Sequence, residues 1–515
     1  MAEMRRLNLA DVFLFVLILA AAAGPRFWYL TTCADNANQS GPLQVQDLQF
    51  PLAGLPKDTE LRGHKAGTAT ELDQLANNLK NDHWFGSFAP FADKEEQTAH
   101  VAPGYPWLLS LLSRTQSDAA NTDRIMRWIQ CGLGALTAGL YFLIGVLAFR
   151  SRLVGVLAGL LCAAHPLWII DTATIGDGVL ATFMLAVCLF LGTRGGLSGG
   201  VLTSLLYGLG LAGLCLVRAA LLPFAFVGLL WFLWRSRSLR HGWFGAILAL
   251  LGFIIGLAPW TLRNWQTFED VVPVVNTTFV HLWMGNNPHA NGGPMKEADM
   301  LAALAEQKGE TDLKSLEKQL ADKGQKERYR EFGEATLNAV RDDPAGCLRR
   351  RLWAGLSFFF GEAFLKDPQH WATVDVWAPQ PPPAEKPSDS DEEEKPKQAL
   401  PDWLPPAMPE ILFGSLLGMM LLGVIGWRWT HVWRREARLL ALATLWLPLP
   451  YLLSHADWLQ GPRLPLDGVL LTYAAFVLAC VVPPVGYALF QGPTAVEEEE
   501  RVSRRLVEGE RYGRV

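Results

Sequence analysis

The chain has 515 residues, half of them hydrophobic, with 20 tryptophans, a mean hydropathy of +0.17 and 18% charged residues, against about 25% charged in an ordinary soluble protein. Long stretches almost without charge alternate with two long polar segments, which argues against a single soluble fold and for a polytopic membrane protein with sizeable aqueous parts. The net charge of -5 and pI near 6.1, with basic residues confined to short clusters beside apolar runs, argue against a nucleic-acid partner.

A hydrocarbon core about 30 Å thick needs roughly 20 apolar residues as helix. Runs of that kind predict ten spans, at 9–29, 128–149, 153–170, 178–193, 198–217, 219–234, 243–260, 408–427, 439–455 and 467–489. The first could instead be read as a secretory signal, since Arg5 and Arg6 precede a short apolar run ending near Ala-Ala-Ala-Gly. With the N-terminus inside, the short inner segments collect Arg5, Arg6, Arg150, Arg152, Arg194, Arg235, Arg237, Arg240, Arg428, Arg434, Arg435 and Arg438, as positively charged loops require. Both termini are then cytoplasmic and both polar segments are exported.

The expected layout is a first span at 1–29, an extracytoplasmic loop at 30–127 and a six-span core at 128–260. A helical exported segment at 261–377 and a Pro-rich acidic, disordered linker at 378–406 follow, then three spans in 407–489 and a cytoplasmic tail at 490–515. Within 261–377, the run Leu352 to Phe360 is too short to span and is expected to lie at the membrane surface. Most cysteines fall in spans, where they behave as small apolar residues. Cys33 and Cys347 would both be exported and could pair in an oxidising compartment. The sequence has no HExxH or Cys-x-x-Cys, so it gives no support for a catalytic metal, and no cofactor is assigned.

Ionisable residues at the outer ends of spans are costly and are therefore functional candidates. Asp35 follows the first span and could serve as a base towards an incoming nucleophile, or be an ordinary solvated loop acid. His100, Pro103, Gly104 and Tyr105 form a turn before a short apolar helix, which fits either an active-site loop or an amphipathic anchor. Asp177 opens the fourth span, where helix capping alone would explain it. Arg218 sits in an apolar turn and needs an anionic partner or a snorkelling route. Trp260, Arg263 and Asn264 leave the seventh span, and Asn286 and Asn287 follow in Gly-Asn-Asn-Pro. An arginine there can bind phosphate with a forked, permanent charge, although Trp and Arg are also interfacial anchors. Arg463 repeats the theme before the last span. Acids and fixed cations on one face suit a membrane-embedded phosphorylated lipid whose head group reacts outside the membrane.

The order of these motifs resembles bacterial multi-spanning glycosyltransferases of the GT-C fold, the protein O-mannosyltransferase and aminoarabinose transferase group. Asp35 matches the acid after the first span, and Leu75-Ala76-Asn77-Asn78-Leu79 the helix that follows it. Ala102 to Pro106 matches a Pro-Pro-Gly-Tyr-Pro turn, and Asp177 the acid opening the fourth span. Arg218, Pro259 to Asn264, Gly285 to Pro288 and Arg463 to Leu466 match the later motifs. In the family the acid lies close to the Leu-Ala helix, whereas about forty residues intervene here, so Asp47 or Asp73 could take the place of Asp35.

The resemblance implies transfer of a sugar from a polyprenyl-phosphate donor to an extracytoplasmic acceptor, a protein, lipid or envelope glycan, with inversion at the anomeric carbon in a cell (inner) membrane. Asp35 would be the general base, Asp177 a second acid, and Arg218, Arg263 and Arg463 would bind the donor phosphate. A transporter or flippase of a lipid-linked sugar is the alternative, and a scaffold a third. A transporter usually shows repeated halves, and no internal repeat is visible here.

Overall fold

The computed structural model describes residues 9–31, 43–44, 60–61, 67–81, 84–116, 119–198, 200–236, 242–290, 292–293, 295–360, 418, 421, 423–425, 437–455 and 463–482. In chain order the helices are α1 (Leu9–Tyr29), α2 (Gly67–Asn81), α3 (Gly104–Thr115), α4 (Ala119–Phe149), α5 (Arg152–Ala164), α6 (Pro166–Asp171), α7 (Gly178–Ser198), α8 (Val201–Val217) and α9 (Leu222–Ser236). They continue with α10 (Gly242–Phe268), α11 (Thr278–Asn286), α12 (Glu297–Lys308), α13 (Leu313–Ala321), α14 (Gln325–Asp342), α15 (Pro344–Phe360), α16 (Arg438–Trp446), α17 (Leu449–Leu453) and α18 (Leu464–Cys480). Two short antiparallel pairings complete the described structure, β1 (Leu43–Gln44) with β2 (Glu60–Leu61) and β3 (Gly86–Phe88) with β4 (Glu95–Gln97).

Segments within or around α1, α4, α7, α9, α10 and α18 are long and apolar enough to cross a membrane, and α5, α8 and α16–α17 are shorter apolar helices. The chain is an all-α polytopic membrane protein. Helices occupy nine of the ten expected positions, while 408–427 falls almost entirely outside the described residues, as do 378–406 and the tail at 490–515. The third run is divided at His165, where extended backbone separates α5 from α6 and Pro166 starts the new helix. The seventh run continues as helix past residue 260 to Phe268, with Pro259 inside it. Its last two turns therefore carry Trp260, Arg263 and Asn264 on one rigid element.

Every residue of α18 from Leu464 to Phe476 is buried, so this helix runs through the middle of the bundle, packed on α4, α5, α7 and α16. A helix apolar on all sides reads as a buried span, and here the partners are other helices rather than lipid. The α8–α10 pair is the opposite case. Ile247, Leu250, Leu251, Ile254 and Ile255 are exposed, whereas the inner face brings backbones together through glycine: a Cβ at Gly208 would run into the carbonyl of Ala249. Small residues at crossing points let membrane helices approach closely, where dispersion rather than water release drives association. At the end of the bundle away from the polar segments, buried Asp11 of α1 accepts from Arg152 of α5 at 2.7 Å.

At the other end the β3–β4 hairpin of the first polar segment and the helices of the second pack together as a cap. Helices α11 to α14 enclose a core of Trp283, Met300, Leu304, Leu316, Leu320, Tyr329 and Phe332. The β3–β4 hairpin of the first segment docks on this core through Phe91, whose ring stacks on Phe332 at 4.6 Å. Arg328, 1% exposed, ties the two segments by donating to the Pro90 carbonyl at 3.1 Å and to Glu96 at 2.8 Å. The run from Leu352 lies in α15, which packs on α17 and on α14.

Gly208→Leu is expected to force α8 and α10 apart and lower the melting temperature of the detergent-purified protein, since overpacking of this kind costs about 1–3 kcal/mol or more. An unchanged melting curve would show that this crossing is not a close contact.

Candidate functional site

The bundle end beneath the cap gathers most of the residues singled out in the sequence. Asp177 precedes α7, but its carboxylate does not cap the helix: Arg218, in the turn between α8 and α9, donates to it through Nε at 2.8 Å and Nη2 at 2.5 Å. Arg218 is 8% exposed, and Tyr451 of α17 lies close to it. The apolar turn thus has the anionic partner that its surroundings demand, in the forked geometry a guanidinium offers a carboxylate. Asp171, at the end of α6, lies on the same cluster, close to Gly178. Burial pushes its carboxyl up to about 7, with Arg218 pulling down and Asp177 pushing up.

The start of α3, expected from sequence as a turn but helical from Gly104 on with Pro103 as its N-cap, positions this cluster from the side. Gly104 packs so closely on the end of α8 that a Cβ there would lie 2.8 Å from the Leu216 carbonyl, two residues before Arg218. The Tyr105 hydroxyl donates to Gln130 Oε1 at 2.9 Å and accepts from the Gly176 amide at 3.0 Å. Gln130 in turn donates to the carbonyls of Thr172 and Thr174 at 2.9 and 2.8 Å. The loop that presents Asp177 is therefore fixed by one tyrosine and one buried glutamine. Gln130 was not singled out in the sequence, although a glutamine inside an apolar helix is a readable signal.

Arg463 stands at the start of α18, 4% exposed, donating to Asp467 at 2.8 Å and to the Phe359 carbonyl at 2.5 Å. His165 Nε2 lies 3.4 Å from the same Asp467 carboxylate. Arg263 is placed differently. Its guanidinium donates to the carbonyls of Thr98 and Phe85 at 2.8 and 2.9 Å and to Asn264 Oδ1 at 3.0 Å, and lies 5.0 Å from the Trp260 ring centre. Trp260 donates to the Val274 carbonyl at 2.8 Å and Asn264 to that of Val272 at 2.9 Å. The Pro-Trp-x-x-Arg-Asn motif so forms a latch that holds the β3–β4 hairpin and the 272–274 strand-like stretch on top of α10.

The Gly-Asn-Asn-Pro motif is likewise a joint. Asn286 donates to the Leu453 carbonyl at 2.9 Å, and Asn287 to that of Trp283 at 2.9 Å. Arg351 of α15 reinforces it by donating to the carbonyls of Gly285 and Ser454. Cys347 is a buried thiol 3.1 Å from Asn286 Oδ1, and Cys33, the other member of the disulfide considered from sequence, lies outside the described residues. Asp35 and Asp47 also lie outside them, whereas Asp73 is in α2, the helix that carries the Leu-Ala-Asn-Asn-Leu segment.

His100 is buried beneath the cap, its Nδ1 bonded to the Thr98 hydroxyl. His281 of α11 and His455 face each other, Nδ1 to Nε2, at 3.1 Å. Burial and then the neighbouring His100 lower the His281 pKa to about 4, which keeps that imidazole neutral near pH 7. Among the described residues, no group of three or more His, Cys, Asp or Glu side chains is placed to hold a metal ion.

No protein-family model matches the chain, and no curated protein matches it either. Among solved structures it is similar to the oligosaccharyltransferase of Archaeoglobus fulgidus in its apo form, at 12% identity and a TM-score of 0.47, over 93% of this chain and 51% of that one. The same enzyme tethered by a disulfide to an acceptor peptide containing the NVT sequon gives 12% identity and a TM-score of 0.48, over 93% and 50%. The chain spans about half the length of these two structures.

Tyr105→Phe is expected to destabilise the purified protein by about 1–3 kcal/mol, the cost of leaving a buried amide and a glutamine oxygen unpaired, seen as a lower melting temperature. A pH series tests the histidines. The unfolded His281 takes a proton near 6.5 and the folded one only near 4, so its contribution is present above about pH 6.5 and is lost as pH falls towards 4. Melting temperature should drop across that window, and less so in His281→Asn; equal drops would remove His281 from the account.

Proposed function

We propose that this protein is an integral-membrane glycosyltransferase of GT-C type, moving a sugar from a polyprenyl-phosphate donor to an extracytoplasmic acceptor by a single inverting displacement. The observation that carries the proposal is the Asp177–Arg218 pair at the bundle end beneath the cap, with Arg218 buried and Asp177 half-buried, held by Tyr105 at the start of α3 and joined there by Asp171. The motif order described above supports the same reading. The arginine-rich short loops support an orientation with this end outside the cytoplasm and both termini inside.

In that reaction the acceptor hydroxyl or amine loses its proton to a carboxylate, a role assigned to Asp35, and attacks the anomeric carbon. The carbon–oxygen bond to the lipid phosphate breaks, and the leaving phosphate takes the electron pair. Arg218 is assigned to that phosphate, because a preorganised cation in a water-poor site stabilises developing negative charge at no cost in reorganisation. Asp177 fixes the plane of its guanidinium. Arg263 and Arg463, whose donors face carbonyls and Asp467, hold the frame around the phosphate. Pro103, Gly104, Tyr105 and His100 form the wall between bundle and cap, and the cap selects the acceptor.

Purified protein incubated with a panel of polyprenyl-phosphate sugars and candidate acceptors should release lipid phosphate. Release is expected to fall at least 100-fold in Arg218→Met, about the loss seen when one preorganised donor to a developing anion is removed. It should also be abolished in Asp35→Asn. No release from any donor would favour a transporter or flippase, and full activity of a folded Asp35→Asn protein would move the base elsewhere.

A further inference from the structure

Arg26 is the most unusual charge in the bundle. It sits in the last turn of α1, 0% exposed, and its donors go only to backbone carbonyls: Ala22 at 2.8 Å, Ala163 at 3.2 Å and Cys162 at 3.4 Å. No carboxylate bonds it, and its Nε has no hydrogen-bond partner among the described residues. A permanently charged donor buried in this way costs free energy unless something completes its shell. Arg26 lines a small cavity of about 10 Å³ together with Gly134, Thr137, Trp168, Asp171 and Thr182, room for about one oxygen-sized group.

Asp171 forms part of the cavity wall. Its carboxylate accepts no hydrogen bond among the described residues, although Asp177 and Arg218 are its neighbours. Thr137 and Thr182 use their hydroxyl protons on the carbonyls of Leu133 and Gly178, at 2.7 and 2.8 Å, so both retain lone pairs towards the cavity. The lining thus combines an unused donor, an unused acceptor, two further acceptors and an indole. An anion would meet the Asp171 carboxylate and a cation would meet Arg26. A hydroxyl group suits both, since it accepts from the guanidinium and donates to the carboxylate.

We propose that the recess between Arg26 and Asp171 receives one hydroxyl of the donor sugar and helps to choose which sugar is transferred. This rests on the glycosyltransferase reading, and it adds to it a sugar contact distinct from the phosphate contact of Arg218. The indole of Trp168, itself tied to the Leu464 carbonyl at 3.1 Å, closes one side of the recess.

The test separates sugar from phosphate. Protein in nanodiscs of phosphatidylethanolamine and phosphatidylglycerol is titrated with farnesyl phosphate and with its mannosyl, glucosyl and arabinosyl phosphodiesters. At least one sugar should tighten binding 10-fold or more over farnesyl phosphate. That gain should fall below 3-fold in Asp171→Asn, Thr182→Val and Arg26→Met, with farnesyl phosphate binding unchanged in Thr182→Val. The two isosteric variants cover the case in which Arg26→Met does not fold. A sugar gain that persists in folded Asp171→Asn and Thr182→Val overturns the proposal, and so does the absence of a gain for all three sugars. A sugar gain that depends on these residues, in a protein that transfers nothing to any acceptor, would keep the subsite and reject the transferase.

Discussion

The salt bridge between Asp177 and Arg218 holds together the end of the bundle that lies beneath the cap. Each member comes from a short connection between apolar helices, one ahead of α7 and one between α8 and α9, and neither connection has a hydrophobic core of its own. A charge pair in which Arg218 is buried and Asp177 half-buried is not a source of much stability, because desolvation of the arginine offsets most of the Coulomb attraction. What it supplies is geometry. Two helix ends free to slide in lipid are fixed to one another by a forked contact, and Tyr105 and Gln130 then have a defined surface to support.

The other buried arginines follow the same logic with different partners. Arg463 is balanced by Asp467 four residues along its own helix, so α18 carries its charge into the bundle already compensated. Arg263 and Arg328 instead collect backbone carbonyls and, for Arg328, Glu96. A planar guanidinium with several donors can satisfy carbonyls that an irregular loop leaves unpaired, which a lysine ammonium does less well. The cap, poor in regular strands, is organised around these two side chains. Arg26 faces both carbonyls and a cavity.

The helical positions were largely legible, because a run of apolar residues long enough to span has few other uses. The gathering of charged motifs at one end was legible from the alternation of short loops. The partners were not. Asp177 at a helix start reads as a cap on local grounds, and only the fold brings Arg218, forty-one residues away, within 2.5 Å. Arg263 beside Trp260 reads as an interfacial phosphate binder, yet its donors turn to Thr98 and Phe85, residues more than 160 positions earlier. The break at His165 is concealed inside an apolar run, and an arginine at the end of a span, as Arg26 is, is locally indistinguishable from one that snorkels.

The latch formed by Arg263 and Arg328 also sets a schedule for synthesis. The hairpin around Phe85 to Thr98 emerges from the ribosome early, yet the side chains that fasten it follow 165 residues later at Arg263 and 238 residues after Pro90 at Arg328. Until seven apolar segments have been made, Phe91 has no Phe332 to stack on and the carbonyls of the hairpin have only water. The first polar segment must therefore wait, incompletely folded, while most of the bundle is inserted. The cap over the Asp177–Arg218 cluster is thus closed late, after the charged pair beneath it is already in place.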